Sequence, residues 1–241
     1  LADLLQEAQR EFAAVPKWKE KRPVVGLVGE FYVRLHDRAN QDVIRKLEAE
    51  GAEVWLAPMT EFFTYVNHLS KVLSKDRMKD GISFDEIKKY TASWFNEKLA
   101  SKAEHTLFEG TKPLLDGYED IPPSEIIKNG KTYLDYNFGG EAICSMGKGD
   151  DFAKRGLAGI ISVLPFNCMP GNAVSALSHS LRRRHDNIPF LNLDFDGFID
   201  SSREAKVINF MWQVKERFSG RLSLDNTEES DEEKSSVASG I

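Results

Sequence analysis

Gly159-Ile160-Ile161-Ser162-Val163-Leu164 runs directly into Pro165-Phe166-Asn167-Cys168-Met169-Pro170-Gly171. The first stretch is a continuous apolar run without strict alternation, the pattern of a strand buried on both faces of a parallel sheet. The second is dense in turn formers and must end that strand. Asn172 to Arg184 then has helical spacing, Ile188 to Leu193 reads as a further strand, and Arg203 to Phe218 as a terminal helix. Strand, helix and strand in this order form a β-α-β unit with parallel strands, because the crossover helix returns the chain in the same direction.

The same pattern occurs upstream. Val24-Val25-Gly26-Leu27-Val28 is a short apolar run ending in Gly29-Glu30, Gln41 to Glu50 places Val43, Ile44 and Leu47 at helical spacing before Gly51, and Glu53 to Pro58 is a second strand. Thr60 to about Leu115 is helical in pattern, through Phe62, Phe63, Val66 and Leu69, then Ile82 to Tyr90, then Trp94 to Leu107. Asp116 to Tyr136, with Gly117, Pro122-Pro123 and Asn129-Gly130, reads as a connector carrying one short helix. The predicted organisation is an N-terminal helical extension over 1–21, a first α/β lobe with a helical insertion over 22–115, a connector over 116–140, a second α/β lobe over 141–218 and a tail over 219–241. The tail holds Asp225-Asn226-Thr227-Glu228-Glu229-Ser230-Asp231-Glu232-Glu233-Lys234, which cannot bury enough apolar area to offset its ordering entropy, so it is expected to be disordered.

Composition narrows the function classes. The 241 residues are 41% hydrophobic, enough for a real core, and the formal net charge is -6. An acidic chain lacks the concentrated basic face that nucleic acid or an anionic membrane surface requires. The densest basic cluster, Arg182-Arg183-Arg184-His185, falls at the end of a predicted helix, where cations suit the negative end of the helix dipole. Two cysteines, Cys144 and Cys168, do not make a secreted disulfide framework, and a reducing cytoplasm is the expected setting. No stretch approaches the roughly 20 apolar residues of a membrane span. A start at Leu1, without methionine, fits a piece of a longer protein.

Ligands approach an open parallel sheet at the carboxyl ends of its strands, where loops and helix N-termini converge. That rule selects Glu30, Tyr32, Arg34 and Asn40 after the first strand, Glu61 after the second, Cys168 after the third, and Asp194 and Asp196 after the fourth. Cys168 stands out, since a thiol near a helix N-terminus is favoured as the thiolate, the form that binds metal or attacks an electrophile. Its alternative is an inert packed cysteine, and the flanking prolines and glycine weigh against that. Cys144, in Glu141-Ala142-Ile143-Cys144-Ser145-Met146-Gly147, has apolar neighbours and reads as packing. Glu30 and Glu141 each follow a glycine and could cap a helix or face the cleft. Gly147-Lys148-Gly149-Asp150 lacks the full phosphate-loop pattern and reads as a turn, His179 as a solvated helix residue, and neither cysteine has a zinc-type partner nearby. No dinucleotide fingerprint or serine nucleophile elbow occurs.

With those residues in place, the chain resembles the 2-hydroxyacyl-CoA dehydratase and CoA-dehydratase activase superfamily. The resemblance is carried by Val28-Gly29-Glu30-Phe31-Tyr32-Val33-Arg34, Ala39-Asn40, Gly51 to Pro58, Gly140-Glu141-Ala142, Ile188-Pro189-Phe190-Leu191 and Asp194-Phe195-Asp196-Gly197, and above all by Val163 to Gly171. More narrowly it is similar to the dehydratase-like domain at the C-terminal end of long activase-related proteins of anaerobes. The resemblance implies two flavodoxin-like (Rossmann-like) lobes with parallel sheets, and a four-iron four-sulfur cluster in the cleft held by cysteines of both lobes. By position Cys168 matches a ligand cysteine, and the resemblance makes Glu30, Arg34, Asn40 and Glu141 of the matching segments candidate cofactor-binding residues beside it. Where relatives that dehydrate bring further cysteines from the first lobe, this chain has Glu30 and Pro58.

Two readings follow. In the first, the chain is a dehydratase-like domain taking part in iron–sulfur-dependent, low-potential electron transfer, with a 4Fe-4S cluster shared with another domain or chain. In the second, it is a non-catalytic module docking on an activase or dehydratase subunit, or on upstream domains of the same protein. A weaker third has an acyl-CoA or other anion at the helix N-terminus after Gly171, with Arg34 as counter-charge.

Overall fold

The computed structural model describes residues 2–16, 20–81, 83–114, 118, 120–198 and 200–238, with side chains described as far as residue 221 except at 2, 64, 80 and 113. Two compact units are formed, one from Leu1–Lys21 with Ala57–Asp151 and one from Arg22–Leu56 with Phe152–Ile241.

The second unit holds the sheet. Strands β1 (Val24–Gly29), β2 (Glu53–Leu56), β3 (Gly159–Pro165) and β4 (Phe190–Phe195) lie in the order β2-β1-β3-β4, all parallel. All four predicted strands are present, but strands assigned to two lobes join in one sheet, because β1 pairs with β3 from Val25 opposite Gly159 to Gly29 opposite Val163. Among the described residues there is a single sheet. The apolar runs of β1 and β3 are the two inner strands, consistent with their lack of alternation.

One face of the sheet is covered by α3 (Val43–Ala49) and α9 (Ser201–Ala238), with Val43 and Leu47 on the one and Val207, Phe210, Met211 and Val214 on the other packing over Val25, Leu27, Ile161 and Val163. On Gly26, a Cβ would lie 2.2 Å from the Phe152 ring, so only glycine lets this aromatic reach the sheet. Helix α8 (Met169–Arg184) packs against β3, and Gly171 at its start abuts Leu164. Helix α8 begins three residues ahead of the predicted Asn172, with Pro170 in its first turn, where the missing N–H costs nothing. Arg182, Arg183 and Arg184 fill its last turn, as expected from the dipole. Helix α9 continues through the stretch expected to be a disordered tail and ends at Ala238, its glutamates and lysine being good helix formers.

The first unit is helical. Helix α1 (Ala2–Ala14) packs on α5 (Phe84–Thr111), and α4 (Thr60–Asp80) pairs with α5 as an antiparallel hairpin. The antiparallel sense is fixed by polar links at its two ends and middle: Thr60 to Glu104 at 3.1 Å, His68 to Glu97 at 3.0 Å and Arg77 to Glu86 at 3.5 Å. The two predicted helices Ile82–Tyr90 and Trp94–Leu107 are one, and Ile82 lies outside the described residues. Helices α6 (Pro123–Gly130) and α7 (Ala142–Lys154) pack around Tyr65, Ile126, Ile127, Ile143 and Cys144.

Gly147-Lys148-Gly149-Asp150, predicted as a turn, is helical within α7. A Cβ on Gly147 would stand 2.0 Å from the Ile126 carbonyl oxygen, and one on Gly130 would stand 2.3 Å from that of Ile143. The glycines serve close helix packing, which a turn reading of glycine cannot distinguish.

Candidate functional site

The carboxyl edge of the sheet begins at Gly29, whose φ of 122° is open to glycine. The chain turns there, and Glu30 N–H donates to Val163 O at 2.9 Å. Glu30 then N-caps the short helix α2 (Phe31–Leu35), its Oε2 accepting from Val33 N–H at 2.8 Å. Of the two roles open to Glu30, the capping role is filled by its Oε2.

Arg34 in α2 is only 1% exposed, with its guanidinium 4.4 Å over the Phe31 ring. Asn40, equally buried, donates from Nδ2 to Val33 O at 2.8 Å and to Arg34 O at 3.3 Å, and its Oδ1 accepts from Val43 N–H at 3.3 Å. It closes the end of α2 and opens α3. Glu30, Arg34 and Asn40 are thus brought together around α2.

Cys168 is on the adjacent loop, after β3. Asn167 takes a left-handed φ of 60°, Cys168 N–H donates to Pro165 O at 3.1 Å, and Cys168 becomes the N-cap of α8. Its carbonyl accepts from Asn172 N–H at 2.8 Å, while its side chain does not cap the helix and is only partly buried. A half-buried thiol at the start of a sixteen-residue helix is in the field that favours the thiolate.

Beyond β4, Arg203 organises the edge. Its Nε donates to Asp194 O at 2.8 Å, its Nη1 to Phe198 O at 2.7 Å and its Nη2 to the Asp196 carboxylate at 2.8 Å. The hydrogen bond from Arg203, joined by that from Phe198 N–H, holds the Asp196 carboxyl below its ordinary range. Asp196 therefore anchors a loop, leaving Asp194 on the sheet itself.

Glu141 belongs to the first unit, immediately before α7, where its carbonyl accepts from Ser145 N–H at 3.0 Å. Tyr65 donates to Gly140 O at 2.8 Å, and burial, followed by the nearby Cys144 and Glu141, pushes its phenol well above the usual tyrosine range. Cys144 is 1% exposed in the surrounding apolar cluster, as its apolar sequence neighbours suggest.

Sequence reasoning missed Lys148. It is 1% exposed and bonds Asp120 at 2.6 Å and Asp151 at 3.3 Å, while Tyr133 donates to Asp150 at 2.5 Å. A small cavity of about 20 Å³ opens beside it, lined also by Glu61, Glu104 and Asp120. The i,i+3 spacing of Lys148 and Asp151 was the available signal.

Among the described residues, no group of three or more His, Cys, Asp or Glu side chains gathers as a metal would require, and no described helix is long and apolar enough to cross a membrane. The chain matches no family model, no curated protein and no solved structure.

Proposed function

We propose that this chain is a dehydratase-like domain of the 2-hydroxyacyl-CoA dehydratase and activase type, taking part in low-potential electron transfer by contributing Cys168 to a shared iron–sulfur cluster. The observation that carries this reading is the setting of Cys168: a partly exposed thiol at the N-cap of α8, on the carboxyl edge of a parallel sheet.

The donors of this chain do not fit a complete cluster. Four thiolates are the ordinary set, and the second thiol, Cys144, is buried in the other unit. The remaining ligands are assigned to another domain or chain. A bound cluster would supply a one-electron couple. The residues here would orient one ligand: the Pro165 carbonyl holds the Cys168 amide, and Asn167 makes the turn that sets its direction.

The test is anaerobic purification of the chain together with its activase or dehydratase partner, or as part of the longer polypeptide, followed by iron and sulfide analysis. Stoichiometric iron in the parent that falls in Cys168→Ala supports the reading. Iron-free protein after reconstitution, or an unchanged iron content in the variant, overturns it.

A docking module is the second reading, favoured by large apolar side chains left exposed on the α4–α5 hairpin, with Phe63 57%, Phe84 81% and Phe95 60% exposed. Titration of purified activase or dehydratase subunit against the chain and against Phe95→Glu tests it. Binding lost in the variant supports docking, and no binding by the parent removes it.

A further inference from the structure

We infer that a second site in the sheet unit, the cleft over β3 and β4, binds a small neutral polyhydroxyl ligand of the sugar or ribose type. Parallel strands buried on both faces call for apolar residues throughout. Here Ser162 and Leu164 of β3 share one face and stand in register with Asn192 and Asp194 of β4. Three of those four positions are polar, and the helix over them, α8, answers with Ser175 and Ser178 in place of apolar residues.

Their hydrogen bonding is incomplete. Asn192 Nδ2 donates weakly to Ser178 Oγ at 3.4 Å, while the Ser178 hydroxyl is already spent on Ser175 O at 2.7 Å. Asn192 Oδ1 and Ser162 Oγ are buried without a partner, and Ser162 is 1% exposed. Reversing the amide would only exchange an orphaned acceptor for an orphaned donor. Among the described residues, nothing donates to the Asp194 carboxylate, whose backbone carbonyl alone is engaged by Arg203. Polar side chains at these inner positions weaken sheet packing, and Asn192 and Asp194 among them line a cleft over β3 and β4.

The cleft offers about 280 Å³, near the lower end of the roughly 300–1,000 Å³ typical of small-ligand sites. Its lining defines the ligand. The Asp194 carboxylate presents acceptors and calls for donors, while Asn167, Asn172 and Ser175 can both give and accept. No lining side chain is positively charged and Asp194 is negative, which disfavours an anion; the N-terminal end of α8, carrying Asn172, disfavours a cation. Leu164 and Phe166, the latter 66% exposed, offer an apolar wall for the C–H face of a ring. Vicinal hydroxyls on a neutral ring meet each of these demands.

Saturation-transfer NMR on the full chain with D-ribose and D-glucose, and with acetate and tetramethylammonium as charged probes, tests the site. Transfer to the ring protons of at least one sugar is expected, with affinity falling about tenfold in Asp194→Asn and in Asn192→Leu. Asn192→Leu should also melt at a higher temperature than the parent, since it removes an orphaned amide; if it fails to fold, Asp194→Asn decides alone. No transfer to either sugar, equal transfer in the variants, or preference for a charged probe overturns the inference. None of these outcomes depends on iron, so failure here is distinct from failure of the cluster reading.

Discussion

Gly29 on β1 lies so close to Val163 on β3 that a Cβ on Gly29 would stand 2.0 Å from the Val163 carbonyl oxygen. The next amide, Glu30 N–H, donates to that same oxygen at 2.9 Å. Backbone contact at this point ends β1, turns the chain and sets Glu30 to cap α2. Gly29→Ala is therefore expected to lose well over 2 kcal/mol, combining a positive φ with a backbone clash. Gly51→Ala has a φ of 90° and nothing within 4 Å, and should lose only about 1–2 kcal/mol. Urea unfolding of the two variants separates steric clash from conformational strain.

Lys148 exchanges water for Asp120 and Asp151, so removing it takes a buried cation away from two carboxylates, of which Asp151 is itself buried. Lys148→Ala should cost about 3 kcal/mol, the lower end for a broken buried pair because the Asp120 side chain is 35% exposed. Lys148→Met, which keeps the volume, should cost less. Chemical denaturation of both variants checks the order.

Asp196 gives a pH signature. Its carboxyl is held below its ordinary value of 3.8 by Arg203, so the stabilisation is present above that value and is lost as pH falls through the folded value. Asp196→Asn should lower the melting temperature at about pH 6, and the gap from the parent should shrink as the pH falls below 3.8. A gap that persists undiminished in acid would mean that the carboxylate–guanidinium pair is not its source.

The two thiols should differ in reactivity. Cys168 is partly exposed and Cys144 is 1% exposed. A disulfide-exchange reagent should titrate one thiol rapidly in native protein and the second only after denaturation, and Cys168→Ala should remove the rapid phase.

The apolar runs of β1 and β3 were legible because inner parallel strands need no alternation and turn formers bound them tightly. Their union in one sheet was not, since periodicity shows that a strand exists but not which strand it pairs with. Around α2, Glu30 and Asn40 were visible in the sequence as polar residues following the first strand. Their capping roles needed the geometry, since side-chain oxygens can serve backbone or ligand equally well. Lys148 stayed hidden because its neighbours Gly147 and Gly149 resemble a turn, and only the contact with Ile126 shows why glycine is required inside a helix. Ser162 and Asn192 lay unnoticed inside apolar runs, and their orphaned oxygens emerge only when β3 and β4 are set in register.

The central claim is that Cys168 supplies a thiolate to a shared cluster. Electron paramagnetic resonance of the dithionite-reduced, anaerobically prepared complex of this chain with its activase or dehydratase partner tests it most directly, comparing parent with Cys168→Ser. An iron–sulfur signal in the parent whose g-values shift or vanish in the variant is the predicted result. Superimposable spectra, or no iron–sulfur signal in the parent, would contradict it.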